Sequence, residues 1–313
     1  MGVDEGVVFG TAGEGGRNLV CDVYHPPPSA AELAGSTAPR TGILVLYGGG
    51  KFNYALQSHN WSQGMILTTV GGGGSGWVGG EIKAPAVTRT CEALASAGYV
   101  AVGSEYRLSG PEGEARWPAH IHDVKAAARW MRASAEALRI DPDNIGCVGY
   151  SAGAHLALIL SGTGAMSYPE LEGTGGNSAV SSAVQACVAV FPPTMISRGH
   201  AGSDKVARGL SKHFIKNIME PTATDRDIST ASPLTHAGAT FPPTCLIHGN
   251  ADQVVPPAES FKMYEELHSR GAHAELHMLA QAPHGGFLQD PLIAVRFAID
   301  FGHIWDILWS ILD

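Results

Sequence analysis

Short apolar runs alternate along the chain with longer segments in which apolar residues recur every three or four positions. The first pattern is typical of strands buried on both faces of a sheet, and the second of helices that cover such a sheet. The sequence predicts strands at residues 19–24, 43–47, 99–102, 145–148, 184–190, 245–248 and 276–279. It predicts helices at residues 86–97, 121–138, 154–160, 259–269 and 291–309.

Strands that alternate with helices in this way predict an α/β fold, with a mainly parallel central sheet flanked by helices. No internal repeat and no linker divides the chain, so we predict a single domain over residues 1–313. Two segments interrupt the alternation. Residues 51–80 form a predicted glycine-rich insertion, and residues 194–240, with helical patches but no clear strand, form a predicted cap over the site.

Composition narrows the class of protein. The chain has 313 residues, of which 44% are hydrophobic and 16% charged, as is typical of a globular protein with a sizeable core. A net charge of −9 disfavours a nucleic-acid partner. No apolar run reaches the length of about 18 residues that a membrane span needs. The first residues do not resemble a signal peptide.

The five cysteines are odd in number, and no two are close in sequence. This spread predicts free thiols in a reducing compartment and disfavours a metal site built from cysteines. We therefore predict a cytoplasmic protein without a bound metal. A mature secreted form that has lost its leader is the alternative.

Residues 149–153 read Gly-Tyr-Ser-Ala-Gly, a match to the G-x-S-x-G pattern, and lie between a predicted strand and a predicted helix. A nucleophile elbow requires this context, because side chains at Gly149 and Gly153 would clash in so tight a turn. The hydroxyl of Ser151 is then exposed above the sheet, and the helix N-terminus faces the negative charge that develops on a substrate. A chance match in a chain with 40 glycines is the alternative.

A nucleophilic serine needs a base that takes its proton and an acid that orients the base. Asp252 and His284 each follow a predicted strand, so both are expected at the same edge of the sheet as Ser151. The order Ser, Asp, His is the one that this elbow motif uses. A turn aspartate and an ordinary loop histidine are the alternatives. We interpret His155, His248 and His273 as structural, and His120 and His122 as solvated positions near a helix start.

The negatively charged oxygen of an acyl-transfer intermediate needs two or three backbone N–H donors. The N–H of Ala152, directly after the serine, is one candidate. Gly49 and Gly50, in the glycine loop after strand 43–47, are the others. The alternative explanation is a tight turn that needs glycine only for its backbone conformation.

Short stretches spread over about residues 19–300 match the motifs of a known family. They are Asp-Val-Tyr at 22–24, Leu-Tyr-Gly-Gly-Gly at 46–50, Glu-Tyr-Arg-Leu at 105–108, Trp-Pro-Ala at 117–119 with Asp123, residues 141–161, Ala-Ser-Pro-Leu at 231–234, residues 248–256 and residues 284–287. With these motifs the chain resembles an α/β-hydrolase of the esterase/lipase group. Within that group it is most similar to the hormone-sensitive-lipase-like and feruloyl-esterase-like (BD-FAE) carboxylesterases.

The resemblance implies an α/β-hydrolase fold with a cap, and a serine carboxylic-ester hydrolase that works through an acyl-enzyme. It implies a small to medium ester substrate with a short acyl chain. It also implies the nucleophile, base, orienting acid and oxyanion donors named above, and no metal or organic cofactor.

Two features depart from the family pattern. Relatives carry His-Gly-Gly-Gly at the glycine loop, and Tyr47 takes the histidine position here. That histidine supports the loop and does no chemistry, so the change is compatible with activity. Residues 51–70 also lengthen the oxyanion loop, and the stretch 73–80 resembles what normally follows the glycine loop at once. If 51–70 is an insertion, Gly72 and Gly73 are alternative oxyanion donors.

Other activities remain open on the same scaffold. Amide cleavage, as in formamidase-like relatives, or a biosynthetic dehydration or cyclisation would use the same residues. A non-catalytic ligand-binding protein is a further alternative. Such proteins typically lose a member of the catalytic set, and none is lost here.

The C-terminal stretch, residues 304–312, is unusually apolar. A helix packed on the sheet is one explanation. The alternative is a homodimer contact through exposed tryptophan and leucine side chains.

Overall fold

The computed structural model describes residues 1–13, 15–48, 85–109, 115–164, 168–199 and 205–285. The glycine-rich segment 51–80, Gly49, Gly50 and the predicted C-terminal helix lie outside the described residues. The predictions made for them are therefore not tested by the fold.

The described strands form one sheet in the order β1-β2-β4-β3-β5-β6-β7-β8. Strand β2 pairs antiparallel with both β1 and β4, and all other neighbours pair in parallel. The mainly parallel sheet predicted from the sequence is confirmed. The strands are β1 Gly2–Thr11, β2 Asn18–His25, β3 Arg40–Leu46, β4 Val100–Ser104, β5 Ile140–Tyr150, β6 Ala186–Val190, β7 Thr244–Gly249 and β8 Ala274–Leu279.

Helices connect the parallel strands, and the predicted helices within the described residues are confirmed, except that the one predicted at 121–138 is divided at Ser134 into two helices. They are α1 Ala30–Leu33, α2 Pro85–Ser96, α3 Ala119–Ala133, α4 Ala135–Leu138, α5 Ala152–Thr163, α6 Pro169–Glu172, α7 Lys205–Asn217, α8 Asp225–Thr230 and α9 Ala258–Ser269, with a 3-10 helix at Pro233–His236. Helices α7, α8 and the 3-10 helix account for the helical patches of residues 194–240.

The core lies on both faces of the central strands. Residues 43–46 of β3 have no exposed surface, which is why this part of the strand is apolar at every position. Helix α5 is buried at all twelve positions, since it lies between the sheet and its neighbours α3 and the 3-10 helix. Each leucine or isoleucine buried there contributes about 1.5–3 kcal/mol. Burial of α5 therefore fixes the position of its N-terminus.

Strand β1 and the small helices α1 and α6 were not predicted. Strand β1 is exposed at its first five residues, and Phe9 is its one buried residue, so an alternating pattern is absent. It forms because its backbone pairs with β2 at the edge of the sheet. Helices α1 and α6 have four residues each, too few for a periodic signal.

The sequence Asp-Pro-Asp-Asn at 141–144 predicts a turn before the elbow strand, but these residues lie inside β5. The pairing of β5 with β3 skips these residues, so they form a bulge. The carboxylate of Asp141 closes the bulge, because it accepts the N–H of Asp143 at 2.9 Å and the side-chain N–H of Asn144 at 3.0 Å. The local turn chemistry is as predicted, but it is contained within a strand.

Candidate active site

Ser151 occupies the single residue between β5 and α5. Its backbone has φ 52° and ψ −114°, a conformation that a residue with a side chain rarely adopts. Two hydrogen bonds hold it there: its N–H donates to the carbonyl of Val190 at 2.9 Å, and its own carbonyl accepts the N–H of His155 at 3.0 Å. The strand and the helix thus impose the strained turn on the serine.

The glycines around Ser151 are required by close backbone contacts. A Cβ on Gly149 would lie 2.2 Å from the carbonyl oxygen of Gly153, and a Cβ on Gly153 would lie 2.3 Å from that of Tyr47. A Cβ on Gly48 would lie 2.7 Å from the carbonyl oxygen of Tyr150. The elbow and the start of the glycine loop therefore pack backbone against backbone.

The three side chains predicted to act together lie at the same edge of the sheet. Ser151 follows β5, Asp252 follows β7 and His284 follows β8, and the carboxyl ends of parallel strands share one edge. The Nε2 of His284 lies 3.1 Å from the Oγ of Ser151. Its Nδ1 lies 2.6 Å from Oδ2 of Asp252. One imidazole thus connects the hydroxyl to the carboxylate.

The hydrogen-bond partners define which nitrogen of His284 carries hydrogen. An ionised carboxylate only accepts hydrogen bonds, so Nδ1 is the donor to Asp252. The lone pair of Nε2 then faces the hydroxyl of Ser151, which donates to it. This arrangement is ready to remove the proton of the serine.

Asp252 is held by both of its carboxylate oxygens. Oδ1 accepts the backbone N–H groups of Val254 at 2.8 Å and Val255 at 2.9 Å. Oδ2 faces His284 and also His248, whose Nε2 lies 3.3 Å away. Burial raises the pKa of Asp252, but hydrogen bonds from His248, from His284 and from the backbone of Val255 outweigh it and hold the pKa below its usual value. The carboxylate therefore stays ionised at neutral pH.

Three further contacts around the site were not predicted from the sequence. His248, interpreted as structural, reaches the carboxylate of Asp252. Phe191 packs on the imidazole of His284. Glu259 accepts the N–H groups of Thr194 at 2.8 Å and Met195 at 2.7 Å, and so anchors the start of segment 194–240. The contacts of Phe191 and Glu259 join residues that are distant in sequence, whereas His248 contacts a residue four positions along the same chain segment.

Tyr47, at the position where relatives carry histidine, supports the start of the glycine loop. Its ring stacks on that of Tyr106 with centroids 4.6 Å apart. Its hydroxyl donates to the carbonyl of Tyr106 at 3.2 Å, and the hydroxyl of Tyr106 donates to the carbonyl of Tyr47 at 3.0 Å. The two tyrosines, stacked and joined by two hydrogen bonds, therefore hold the start of this loop in place.

Of the residues predicted to bind the oxyanion, Ala152 is described and is buried at the first position of α5. Backbone N–H groups in the first turn of a helix have no partner within the helix, and the helix dipole adds partial positive charge there. Gly49, Gly50, Gly72 and Gly73 lie outside the described residues.

An apolar pocket lies alongside α5, one helical turn beyond Ser151. Its free space, open solvent included, is about 220 Å³. The pocket is bounded by the elbow helix, by the region before and at the start of α3, and by α7 of the segment predicted as a cap. Its lining residues are Tyr106, Trp117, His120, His155, Leu156, Phe214 and Ile218.

His120, expected to be solvated, is buried in the wall of this pocket, so that prediction was wrong. It is 4% exposed, and its Nε2 lies 2.8 Å from the hydroxyl of Ser109. Desolvation lowers the pKa of His120 to about 3. The side chain is therefore neutral at physiological pH.

In the described part of the chain, one trio of side chains could offer three ligand atoms to a metal ion. Cys245, Glu275 and His277 have such atoms within 4.8 Å of one another. Cys245 lies near the amino end of β7, and Glu275 and His277 lie in β8, whereas Ser151 lies at the carboxyl edge of the sheet. Burial raises the pKa of the Cys245 thiol far above its usual value, and His277 already contacts Glu275 at 3.0 Å. A protonated thiol is a poor metal ligand.

No helix within the described ranges is long and apolar enough to cross a membrane. All five cysteines are buried and free, as predicted.

The parallel sheet, the strained serine elbow and the Ser-His-Asp hydrogen bonds define an α/β-hydrolase. A profile of the BD-FAE family matches residues 58–267, more than half of the chain. The chain therefore belongs to the BD-FAE family.

Two of the similar proteins come from Mycobacterium tuberculosis. Esterase LipQ is 29% identical over 262 residues, which cover 83% of this chain and 52% of LipQ. The probable carboxylic ester hydrolase LipM is 30% identical over 175 residues, which cover 56% of this chain and 38% of LipM. The chain thus spans about half the length of these relatives, or less.

Solved structures share the fold over nearly the whole chain. The propionate-bound thermophilic esterase Est2 of Thermogutta terrifontis matches with a TM-score of 0.71 at 24% identity, covering 98% of this chain and 94% of its own. A truncated carbohydrate esterase from gut microbiota matches with a TM-score of 0.70 at 24% identity, covering 97% and 96%. These likenesses establish the α/β-hydrolase fold.

Proposed function

We propose that this protein is a serine carboxylic-ester hydrolase that works through an acyl-enzyme. Ser151 is the nucleophile, His284 the general base and Asp252 the acid that orients the base. The observation that carries the proposal is the hydrogen-bonded chain from the Ser151 hydroxyl through both nitrogens of His284 to the Asp252 carboxylate. Membership of the BD-FAE family and the esterase relatives support it.

In the first half-reaction, the Oγ of Ser151 attacks the carbonyl carbon of the ester while Nε2 of His284 takes its proton. The carbonyl π electrons move onto oxygen and form a tetrahedral oxyanion. When the intermediate collapses, the bond to the alcohol oxygen breaks and Nε2 returns the proton to that oxygen. The alcohol leaves, and the acyl group remains bound to Ser151.

Water then repeats the sequence on the acyl-enzyme. His284 takes a proton from the water, the hydroxide attacks the acyl carbon, and Ser151 leaves with the proton that His284 held. Asp252 keeps its negative charge throughout and stabilises the imidazolium that forms twice in each cycle. Its lowered pKa fits this role, because a protonated carboxyl group could not do so.

The oxyanion is stabilised by the N–H of Ala152 together with donors from the glycine loop. We assign the loop donors to Gly49 and Gly50, with Gly72 and Gly73 as the alternative pair. The Tyr47–Tyr106 pair supports this assignment, because it fixes the loop immediately before Gly48. Preorganised donors of this kind lower the barrier by about 2.7–4 kcal/mol each.

We further propose that residues 194–240 form a cap that shapes a small acyl site. Ser232, near the end of this segment, is hydrogen-bonded to its start. The Ser232 hydroxyl donates to the carbonyl of Thr194 at 3.0 Å and accepts the N–H of Ile196 at 3.2 Å. From the cap, α7 contributes Phe214 to the apolar pocket. The side chains that line the pocket are mainly aromatic and aliphatic, which suits the short acyl chain that the family resemblance implies.

The experiment is turnover of aryl esters from acetate to octanoate by the intact protein and by Ser151→Ala. We expect the acetyl to butyryl esters to be the best substrates, and the alanine variant to lose at least about 10⁴-fold in kcat. A fluorophosphonate probe should add its mass to Ser151 and to no other residue. Equal turnover by both proteins would refute the proposal.

Amides of the same acyl groups, included in the panel, separate the amidase alternative from the esterase. A non-catalytic binding protein is disfavoured because the side chains of Ser151, His284 and Asp252 form one continuous chain of hydrogen bonds. Such a protein would neither turn over the esters nor react with the probe.

We also propose a cytoplasmic location, supported by five buried free thiols, which fit a reducing compartment. The homodimer contact predicted for the C-terminal stretch remains a prediction, since it falls on residues outside the described part.

A further inference from the structure

The carboxylate of Asp252 contacts two histidines. The second of them, His248, is the fifth residue of β7 and has no exposed surface. Its Nε2 lies 3.3 Å from Oδ2 of Asp252 and 3.0 Å from the carbonyl oxygen of Val255. Its Nδ1 lies 2.7 Å from the hydroxyl of Ser260 in α9. All of these partners are polar atoms of the loop that carries Asp252 or of the helix that follows it.

The chemistry of these partners fixes the hydrogen on His248. A carbonyl oxygen and an ionised carboxylate both accept, so Nε2 carries hydrogen and donates to Val255 and Asp252. Nδ1 faces a hydroxyl, which can donate to it. The ring is therefore oriented by Ser260 at one nitrogen and presents a donor to the carboxylate at the other.

We propose that His248 is a positioning residue: its Nε2–H holds Oδ2 of Asp252 so that the same oxygen stays aligned with His284. This inference rests on the proposed function. It extends the hydrogen-bonded chain from α9 to the nucleophile, in the order Ser260, His248, Asp252, His284, Ser151.

The geometry explains why a second donor matters at this place. Oδ1 of Asp252 is bound by two N–H groups of its own loop, so Oδ1 follows any movement of that loop. His248 belongs to the sheet and also binds the loop at the carbonyl of Val255. It therefore ties both the carboxylate and its loop to the rigid strand β7. A shift of about 1 Å in catalytic geometry can cost about 100-fold in rate.

The test compares His248→Leu, which has no donor, with His248→Gln, whose side-chain amide can reach the position of Nε2. His122→Leu is the matched control, because His122 is a partly buried histidine outside the site with Nε2 bound to a carbonyl, that of Glu170 at 2.9 Å. We expect His248→Leu to lose about 100-fold in kcat with little change in KM. His248→Gln should recover to within about tenfold of the wild type, and His122→Leu should keep the wild-type kcat.

A second measurement reports the position of Asp252 without any substrate. The proton shared between Nδ1 of His284 and Asp252 should give a far-downfield NMR resonance in the wild type. We expect it to be lost or shifted in His248→Leu and kept in His248→Gln and His122→Leu. Urea unfolding of each variant shows which of them are folded.

Wild-type kcat and an unchanged resonance in folded His248→Leu would overturn the inference, and so would equal losses in His248→Leu and His122→Leu. If His248→Leu does not fold, His248→Asn is measured in its place, because its amide can reach Ser260 but not Asp252. Full activity of His248→Asn would refute the positioning role of His248. A wild type that shows the resonance but hydrolyses no ester and reacts with no probe would refute the proposed function alone.

Discussion

The ring of Phe191 lies against the imidazole of His284, with the two centroids 4.4 Å apart and the planes tilted by 57°. Phe191 reaches this position with a backbone φ of 44°, which is unfavourable for a bulky residue. Its N–H donates to the carbonyl of Ile247 at 2.7 Å, so a hydrogen bond to β7 holds the strained backbone. The strain thus places an aromatic ring against the imidazole.

Replacing Phe191 with leucine should lower kcat about two- to tenfold, because an aromatic pair is worth about 0.5–1.5 kcal/mol beyond its buried area. Steady-state kinetics on a short-chain aryl ester measure the change. Phe241→Leu removes another buried phenylalanine ring and controls for general destabilisation. An unchanged kcat in Phe191→Leu would show that the ring does not hold the imidazole.

Gly153→Ala should both destabilise the protein and reduce activity. The added Cβ would lie 2.3 Å from the carbonyl oxygen of Tyr47, so the start of the glycine loop must move away from the elbow. We expect a loss of about 1–3 kcal/mol in unfolding free energy, as for other overpacked sites, and a fall in kcat. Urea unfolding and ester turnover measure the two effects.

Gly199→Ala is the matched control for that substitution. A Cβ there meets nothing within 4 Å, and the position has no positive φ. It should change the unfolding free energy by less than about 0.5 kcal/mol. Similar behaviour of the two alanine variants would show that the close contact at Gly153 is not needed.

Phe214→Ala should change the preferred acyl length. Removing the ring enlarges the apolar pocket, and each extra methylene buried there contributes about 0.8 kcal/mol. The ratio of kcat/KM for hexanoyl over butyryl esters should therefore rise about tenfold, because the two extra methylenes contribute about 1.6 kcal/mol.

Leu210→Ala, at a buried position of the same helix that does not line the pocket, controls for loosening of α7. An unchanged ratio in Phe214→Ala would place the acyl group elsewhere. A parallel series that varies the alcohol group shows whether this pocket receives the alcohol instead.

Stability should fall as the pH drops below neutral, because two buried histidines resist protonation. Desolvation lowers the pKa of His120 to about 3 and that of His155 to about 4, from an ordinary value of 6.5. Below pH 6.5 the unfolded chain therefore binds protons that the folded chain does not. The stability present above pH 6.5 is lost as the pH falls towards the lowered pKa values of the two histidines. Each histidine contributes up to about 3 kcal/mol between pH 6.5 and 4.

Urea unfolding at several pH values measures this effect. His120→Gln cannot titrate, and its amide can still reach the hydroxyl of Ser109. We expect this variant to lose less stability than the wild type between pH 6.5 and 4. Parallel pH curves for the two proteins would show that His120 is not held neutral in the fold.

Local sequence patterns determined much of the architecture. The apolar runs of β3 and β5 to β7 are buried on both faces, so composition alone predicts them. The elbow could also be predicted from the sequence, because a strand, a G-x-S-x-G turn and a helix are contiguous. Asp252 and His284 could be placed because each follows a predicted strand, and parallel strands end at one edge.

Tertiary structure alone decided how the site is supported. Strand β1 exists through pairing at an edge, and its exposed side chains carry no pattern. His120 looks polar and helix-initial in sequence, yet the fold buries it beside Ser109. The contact of His248 with Asp252 depends on how the loop after β7 folds back on its own strand, and that of Phe191 with His284 on the distance between loops that follow different strands. Sequence patterns record the burial and periodicity of one segment, whereas these contacts arise only when separate segments meet in space.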